Sequence, residues 1–464
     1  MGHHRTARPH CGIGRAHAVY SVFIACGLIA CTPKVSEPGH MAPAPTDRAV
    51  LESIPRIVQA RCAPCHRPDG VAPFALLEAK DFRKRAKQVL RLIESDRMPP
   101  WPPDSGYGAF LNDRSLESEE RAMLLDWLQN DCPESSFSEP ISDPTSPETW
   151  ALGTPDLRVR PDQSYSLAAE GPDQFRNLVI PNPVEETVYV RAFDFRPNAP
   201  AAVHHMILEL DHTDSSRELA QADPEAGFDG MEIGSSTNPV GGQFFGWSPG
   251  REPAPVLPGM AWRLDPGADI VLRLHLLPTG KPEAIQPELA LYFTDEEPVY
   301  HPYLVWLTIP ELEIPAGRDE HWTHATKTLN QGAYALSIYP HAHLLAREFR
   351  IWATLPDGTQ RWLIRISDWE FGWQGEYRYV DPIHLPKGTR LDMRIRYDNS
   401  IQNPLNPHSP PRRVRQGPNA TEEMGDVWIV AVADTEWRPA SRHKEKSDPG
   451  AAPSAVNQET VDSY

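Results

Sequence analysis

Cysteine is scarce in this chain and absent from its C-terminal two thirds. Only six of the 464 residues are cysteine, and Cys132 is the last of them. A fold stapled by disulfides is therefore excluded after residue 132. Roughly 290 residues of this region must hold their fold by packing alone, and a chain of that length buries enough surface to do so.

Positive charge is also in deficit, and the apolar runs are short. The chain has 45 Lys and Arg against 63 Asp and Glu, which gives a formal net charge of −18. Nucleic acid and anionic membrane surfaces would repel such a chain, so neither is an expected partner. The apolar run at residues 19–30 is too short to span a bilayer. Three arginines and no acid precede it, a pattern typical of an export signal.

The apolar run ends in Leu-Ile-Ala-Cys at residues 28–31. This resembles a bacterial lipobox, in which Cys31 is lipidated and becomes the mature N-terminus. Cys26 is the weaker candidate because leucine is favoured at the first lipobox position. An ordinary signal peptide or a short N-terminal anchor is the alternative. Since Thr32 rather than aspartate follows Cys31, the resemblance implies a lipid anchor in the outer membrane of a Gram-negative bacterium, facing the periplasm.

Residues 62–66 have the sequence Cys-Ala-Pro-Cys-His, the C-x-x-C-H pattern of covalent c-type haem attachment. Cys62 and Cys65 would add to the haem vinyl groups, and His66 would ligate the iron. Half of a zinc site is the alternative, but no second cysteine pair lies within reach. Met98, in a loop stiffened by prolines, is the expected sixth ligand, and Met123 is its competitor. Ligation by His and Met raises the haem potential and suits an electron carrier.

Residues 48–132 resemble a small class I cytochrome c, which implies three or four short helices around one haem. Apolar residues recur at helical spacing just before the haem motif, and a last helix is predicted to begin near Ser115. Cys11 and Cys26 leave with the signal, and the lipid and the haem take three more cysteines. Cys132 is then the one cysteine that remains, so the mature chain has no intramolecular disulfide; a free thiol is expected, and an intermolecular bond is the alternative.

The region after residue 149 is predicted to be a β structure. Fifty prolines argue against helices outside the first domain. Short strand-like runs bounded by turns such as Pro-Asp-Gly at residues 356–358 favour antiparallel sandwiches. These runs lie at residues 187–193, 202–210, 270–277, 349–355, 360–366, 389–397 and 427–432.

The sequence therefore predicts a multidomain protein. A small all-α cytochrome c domain is followed by two all-β antiparallel, jelly-roll-like sandwich domains. The predicted boundaries are 1–31 for the lipoprotein signal peptide, 32–47 for a linker, 48–132 for the cytochrome c domain, 133–149 for a second linker, 150–300 and 301–438 for the two sandwiches, and 439–464 for a disordered tail.

Five histidines and one methionine in the β region form candidate metal ligands. Adjacent residues on a strand point to opposite faces, so His204 and His205 bind one metal only where the strand twists or ends, and a structural pair is the alternative. His341 and His343 lie on one face of a strand and suit a bidentate clamp. Met424 alone would be interpreted as core or loop filler. Three imidazoles suit a copper that changes oxidation state, whereas two imidazoles and a thioether favour Cu(I).

The chain order of these residues, with His275 as the third histidine, resembles the copper type II, ascorbate-dependent monooxygenases over about residues 150–436. Peptidylglycine α-hydroxylating monooxygenase and dopamine β-monooxygenase belong to this family. The resemblance implies two copper ions that face each other across a solvent-filled cleft between the sandwiches. His204, His205 and His275 would hold the electron-transfer copper. The ligands of the copper that binds O₂ and attacks a substrate C–H bond would be His341, His343 and Met424.

Three departures concern the substrate. The peptide-hydroxylating enzyme grips a substrate carboxylate with an arginine and a tyrosine, where this chain has Tyr339 and Trp428. Its glutamine two residues before the third histidine is Arg273 here. Peptide amidation is therefore not implied, and a small, rather apolar organic substrate is expected.

Two functions follow from these patterns. The first is a copper-dependent monooxygenase that uses O₂ and takes electrons from a periplasmic donor through its own haem domain. The alternative is a non-catalytic periplasmic protein that transfers electrons or holds copper. The remaining histidines are interpreted as structural, and the aromatic string at residues 369–373 as sandwich core.

Overall fold

The computed structural model describes residues 48–438 except 69, 112, 135–136, 138–140, 142–149, 232–236, 244 and 252. All described residues belong to one compact unit that begins at Asp47. The predicted signal peptide, the lipidation of Cys31, the first linker and the tail lie outside the described residues. So does most of the second linker.

Four short helices form the first part of the described chain, and a fifth lies within the β region. They are α1 (Arg48–Arg61), α2 (Ala79–Arg83), α3 (Ala86–Glu94), α4 (Ser118–Gln129) and α5 (Ser215–Ala222). A common core joins the first four, with Ile54, Phe82, Ile93 and Trp127 among its buried members. No helix in the described part of the chain is long and apolar enough to cross a membrane.

The start of α4 differs from the sequence prediction. Glu117, not Ser115, is the N-cap, and Glu120 completes a capping box with it. The two carboxylates satisfy backbone N–H groups at a helix end where negative charge is favoured.

Two sheets form the first β region. Its strands are β1 (Leu157–Val159), β2 (Tyr165–Leu167), β3 (Gln174–Pro181), β4 (Val188–Arg196), β5 (Val203–Asp211), β6 (Phe228–Asp229), β7 (Thr237–Pro239), β8 (Gly246–Trp247), β9 (Trp262–Leu264), β10 (Asp269–Leu276), β11 (Glu283–Ile285) and β12 (Glu288–Thr294). One sheet has the order β1-β12-β4-β9 and the other β6-β3-β10-β5-β7, with β8 also paired to β5. Strands β2 and β11 form a separate pair.

Two four-stranded sheets form the second β region. Its strands are β13 (Tyr303–Thr308), β14 (Glu313–Ile314), β15 (His321–Thr328), β16 (Ala333–Ala342), β17 (Ala346–Thr354), β18 (Gln360–Ile366), β19 (Tyr377–Leu385), β20 (Arg390–Tyr397), β21 (Val414–Arg415) and β22 (Gly425–Ala433). The sheet orders are β13-β22-β16-β19 and β15-β20-β17-β18, and β14 pairs with β21.

Each β region is a sandwich with its own core. In the first, Phe193 and Leu291 from one sheet and Leu208 and Ile270 from the other belong to one buried cluster. In the second, buried residues of β16 and β22 share a cluster with residues of β17 and β20. Every pairing between named strands is antiparallel, as the sequence predicted. The predicted strand runs are confirmed to within a few residues at their ends.

One segment does not follow the predicted domain boundaries. Residues 99–111 lie within the predicted cytochrome domain, yet Phe110 is a buried member of the second sandwich core. Trp101 packs against the same core. The segment reaches this position by an antiparallel bridge between Phe110 and Tyr379 of β19.

Candidate metal centre

A β-bulge brings His204 and His205 to the same side of β5. On the neighbouring β10, His275 pairs with His205 and Leu276 pairs with Val203, so His204 is the extra residue. A bulge rotates the chain locally and re-aims a side chain that a regular strand would direct to the opposite face. The two Nδ1 atoms lie 3.1 Å apart as a result.

His275 completes a three-histidine cluster at this bulge. Its ring centroid lies 5.1 Å from that of His204 and 5.0 Å from that of His205. One nitrogen from each of the three residues lies within 4.8 Å of the others. The Phe175 ring stacks on the His275 ring, with the two centroids 4.2 Å apart, and holds its orientation.

The hydrogen bonds of these rings leave Nδ1 atoms facing the cluster. His204 donates its Nε2–H to the Phe371 carbonyl at 3.2 Å, and His275 donates its Nε2–H to the Asp173 carboxylate at 2.8 Å. The His275 Nδ1 is buried without a hydrogen-bond partner among the described residues.

These three residues fit a metal ion. A carboxylate or carbonyl that receives the outer N–H of a histidine is the usual support of a metal-binding imidazole. Metal–nitrogen bonds of about 2.0–2.1 Å place neighbouring ligand atoms about 3 Å apart, in keeping with the Nδ1 pair of the bulge.

The second set lies at the end of β16 and presents the other imidazole nitrogen. The ring centroids of His341 and His343 are 5.2 Å apart, as expected for alternate residues on one face. His341 donates its Nδ1–H to Gln374 Oε1 at 2.5 Å, and His343 donates its Nδ1–H to the Glu422 carbonyl at 3.2 Å. The Nε2 atoms are therefore the nitrogens that remain for a metal.

Met424 lies just outside the strand pairing that carries the second set. The pairing of β16 with β22 ends at Ala342 and Gly425, and His343 and Met424 are the next residues on the two sides. Met424 is half-buried, and its backbone is held on both sides. Its N–H donates to Glu423 Oε2 at 3.1 Å, and its carbonyl accepts from the Tyr397 hydroxyl at 2.9 Å.

The two sets lie beside each other instead of facing across an open, solvent-filled cleft. The ring centroids of His205 and His341 are 6.3 Å apart. Of the five histidines in the two sets, His205 is half-buried and the other four are buried. Phe371, from the loop between β18 and β19, accounts for the closure because its ring stacks on His204 at 4.3 Å and lies 5.7 Å from His343.

Burial favours the neutral form of four of these histidines. Desolvation lowers the pKa of His204 and of His343 to about 3, and it also lowers the pKa of His205 and of His341. The neutral imidazole is the form that binds a metal.

Glu423 is a buried carboxyl beside this cluster. Burial raises its pKa to about 8. It accepts hydrogen bonds from the backbone N–H groups of His343 and Leu345 at 2.9 and 2.6 Å, in addition to the bond from Met424. Glu423 thereby ties the end of β16 to the strand that carries Met424.

The residues that depart from the monooxygenase pattern have defined surroundings. The Trp428 ring lies 5.9 Å from that of His341 and 6.0 Å from that of Tyr339. Arg273 is buried and donates to Glu209 at 2.5 Å. Aromatic rings therefore flank the second set, while the arginine near His275 is neutralised within the sheet.

The haem motif directly follows α1. Cys62 and Cys65 are not joined in a disulfide, and the His66 N–H closes the turn onto the Cys62 carbonyl at 2.9 Å. His66 donates its Nδ1–H to the Phe74 carbonyl at 3.0 Å, which leaves Nε2 for iron. These residues fit a c-type haem by their chemistry and by the orientation of the imidazole.

The other sulfur-containing residues of the helical region have different surroundings. Met123 packs against the helical core, and Cys132 is a buried free thiol in that core. Burial raises the Cys132 pKa to about 11, which makes this thiol a poor nucleophile. Met98 directly follows α3 and its C-terminal turn, with its N–H bonded to the Leu92 carbonyl at 3.2 Å.

Sequence reasoning missed five residues that hold the histidines in place. Asp173, Gln374 and Glu422–Glu423 carry no local motif that marks them. Phe371 belongs to the aromatic string that was predicted to be core. Trp369 of this string is indeed buried, with its Nε1–H donated to the His343 carbonyl at 3.3 Å, whereas Phe371 contacts the site itself.

Comparisons with known proteins add no family assignment. No protein-family model and no curated protein matches this sequence. Among solved structures, the major capsid protein of Bacteriophage PM2 has 10% identity and a TM-score of 0.27, covering 61% of this chain and 98% of its own. Allantoicase has 12% identity and a TM-score of 0.16, covering 48% of this chain and 73% of its own. Scores this low support no argument about fold or function.

Proposed function

We propose that this protein is a copper-dependent monooxygenase that hydroxylates a C–H bond of a small, rather apolar organic substrate. The observation that carries the proposal is the meeting of two unlike ligand sets. His204, His205 and His275 direct Nδ1 atoms inward, while His341 and His343 keep Nε2 for a metal, and Met424 directly precedes the strand that pairs with theirs. A three-imidazole set and a thioether-containing set differ in the copper oxidation state that they favour.

Copper bound at these sets supplies one-electron chemistry with O₂. The overall reaction is R–H plus O₂, two electrons and two protons, giving R–OH and water. The protein's own contribution is orientation and exclusion of water. Asp173 and Gln374 fix the imidazole rings by accepting their outer N–H groups. Phe371 covers the His204 ring on the side away from the bulge.

A cavity lined by Tyr339, though by none of the six candidate copper ligands, suits a small substrate. It has a volume of about 450 Å³ and lies where residues of both sandwiches meet the helical region. Phe245, Met260, Leu336 and Val430 contribute apolar surface, and Tyr339 lines it two residues before His341. A cavity of this size and character is typical of small-molecule sites.

The helical region is proposed to be a cytochrome c domain. Cys62, Cys65 and His66 would hold haem c, with Met98 as the sixth ligand. Haem supplies electrons one at a time, so two transfers from an external periplasmic donor serve each turnover. Export and attachment through Cys31 are part of the same proposal, because covalent haem attachment in bacteria occurs outside the cytoplasm.

The test compares the native chain with Met424→Ala in a strain that lacks the chromosomal copy. Cells are grown in ¹⁸O₂, and their metabolites are compared by mass spectrometry. The native chain should yield at least one product that carries a single ¹⁸O atom, and Met424→Ala should yield none. The purified variant should still show the Cu(II) EPR spectrum of the three-histidine set. If both strains give identical labelled metabolites while both copper sites are filled, the protein is an electron carrier or copper holder and not a monooxygenase.

A further inference from the structure

The segment that follows Met98 is fixed to the second sandwich. The Asp104 N–H donates to the Arg365 carbonyl at 2.8 Å, and the Leu111 N–H donates to the Arg378 carbonyl of β19 at 2.8 Å. These backbone bonds extend the sandwich by one short strand-like stretch. The helical region is therefore anchored through main-chain contacts as well as through its linker.

Aromatic packing reinforces this anchor. The Trp101 and Tyr377 rings meet edge to face at 5.4 Å, and the Phe110 and Tyr379 rings stack at 5.4 Å. Such pairs stabilise a contact beyond the area that they bury. A domain that moved freely on its linker would not share a core with the sandwich, so the segment holds Met98 at a defined place.

A continuous set of contacts leads from Met98 to the three-histidine set. Arg97, the residue before Met98, forms an ion pair with Glu370. Phe371 follows Glu370 in the chain. The Phe371 carbonyl accepts the Nε2–H of His204 at 3.2 Å, and its ring stacks on the His204 ring at 4.3 Å with an interplanar angle of 17°.

We propose that Arg97, Glu370 and Phe371 form an electron-transfer bridge between the haem ligand Met98 and the copper ligand His204. The inference rests on the proposed function. Electron tunnelling weakens far more across an empty gap than along covalent bonds, hydrogen bonds and ion pairs. Between Met98 and His204 this bridge crosses only one ion pair and one hydrogen bond. In each transfer the haem iron goes from Fe(II) to Fe(III) and the copper from Cu(II) to Cu(I), and no proton moves.

A second contact is the competing route. A methyl group added at Gly250 would lie 2.8 Å from the Cys65 sulfur, so the first sandwich also approaches the haem motif. The described contacts of this loop do not reach a site histidine. The ion-pair bridge is favoured because its last member bonds His204 directly.

The experiment uses the full-length protein with haem and copper bound. Under anaerobic conditions, a light flash in the presence of a photochemical one-electron reductant reduces the haem, and absorbance at the haem bands follows its reoxidation by Cu(II). Arg97→Gln and Glu370→Gln each remove the ion pair from one side, and both keep the Phe371 carbonyl that accepts the His204 Nε2–H. Asp104→Asn is the matched control, because it removes a polar anchor of the same segment that lies off the bridge.

Arg97→Gln and Glu370→Gln should each slow haem reoxidation several-fold, while Asp104→Asn should not. The haem potential, the Cu(II) EPR spectrum and the melting temperature should stay unchanged in all three. The charge swap Arg97→Glu with Glu370→Arg should recover much of the native rate. If both bridge variants reoxidise their haem at the native rate, the bridge proposal is wrong, while the proposed function still stands. If the native protein shows no copper-dependent reoxidation of its haem, the proposed function fails as well.

Discussion

The two histidine sets leave different imidazole nitrogens available for a metal. At the β5 bulge, His204 and His275 bind outer acceptors through Nε2 and keep Nδ1 for the cluster. At the end of β16, His341 and His343 bind their acceptors through Nδ1 and keep Nε2. Nδ1 is closer to the backbone than Nε2, so the first set works within a sheet and the second reaches out from a strand end. The acceptor that captures one nitrogen decides which one is left for the metal.

The acceptors also differ in charge. Asp173 gives His275 a carboxylate, which further accepts the Ala420 N–H at 3.0 Å. His341 has only the neutral amide of Gln374. A carboxylate makes the imidazole a more basic ligand, which stabilises a higher metal charge. If the sets bind copper as proposed, the first set is therefore expected to favour Cu(II) more strongly than the second.

The largest expected effect comes from removing one ligand of each set. His275→Ala and His343→Ala should each reduce bound copper from two ions per chain to one, because a missing imidazole leaves too few donors. Metal analysis counts the copper, and EPR identifies which Cu(II) spectrum is lost. His384→Ala is the control, since His384 is partly exposed and stacks on Tyr334 away from both sets. Loss of the same spectrum in both variants would show that the sets are not separate sites.

A smaller effect is expected when the supporting acceptors are removed. Asp173→Ala should weaken copper binding at the first set by about 10–100-fold, the usual cost of losing an outer partner of a metal ligand. Gln374→Ala should weaken the second set less, because hydrogen bonds to a charged acceptor are about twice as strong as neutral ones. Copper titration against a competing chelator measures both affinities. Equal losses of copper affinity in the two variants would show that the charge of the acceptor does not distinguish the two sets.

The smallest effect concerns pH and the copper-free protein. The folded-state pKa values of four site histidines lie below the value of about 6.5 in an unfolded chain. Below that pH the unfolded chain takes up protons that the folded chain does not, so the free energy of unfolding falls on acidification. Glu423 acts in the opposite direction, since its folded pKa of about 8 favours folding as the pH falls. The four histidines together change the free energy of unfolding more than Glu423 does, so the net effect of acidification is a loss of stability.

The melting temperature of copper-free protein should therefore fall from pH 6.5 to pH 5, as circular dichroism would measure. The melting temperature of the Glu423→Gln variant should fall more steeply over this interval, because this variant lacks the carboxyl group that opposes the histidines. A melting temperature that rises over this interval would show that the histidines are not held neutral by burial.

Much of the fold was predictable because strands leave a local pattern. Short strand-like runs bounded by turns marked the segments that became β5, β10, β17, β18 and β22. The spacing of His341 and His343 on one face followed from the same period of two. The N-cap of α4 was misplaced by two residues because Ser115 and Glu117 both suit a helix start, and the capping box with Glu120 favours the later one.

The sequence by itself determined the kinds of donor and their chain order: a C-x-x-C-H motif, five histidines and Met424 in two β regions. Only the tertiary structure decided how they combine. The His204 bulge depends on how β5 pairs with β10, and the acceptors Asp173 and Gln374 come from distant parts of the chain. The contact of Arg97 with Glu370 spans two regions of the fold. Local patterns are set by neighbouring residues, whereas register shifts and long-range hydrogen bonds arise when whole sheets pack, and no short stretch of sequence encodes them.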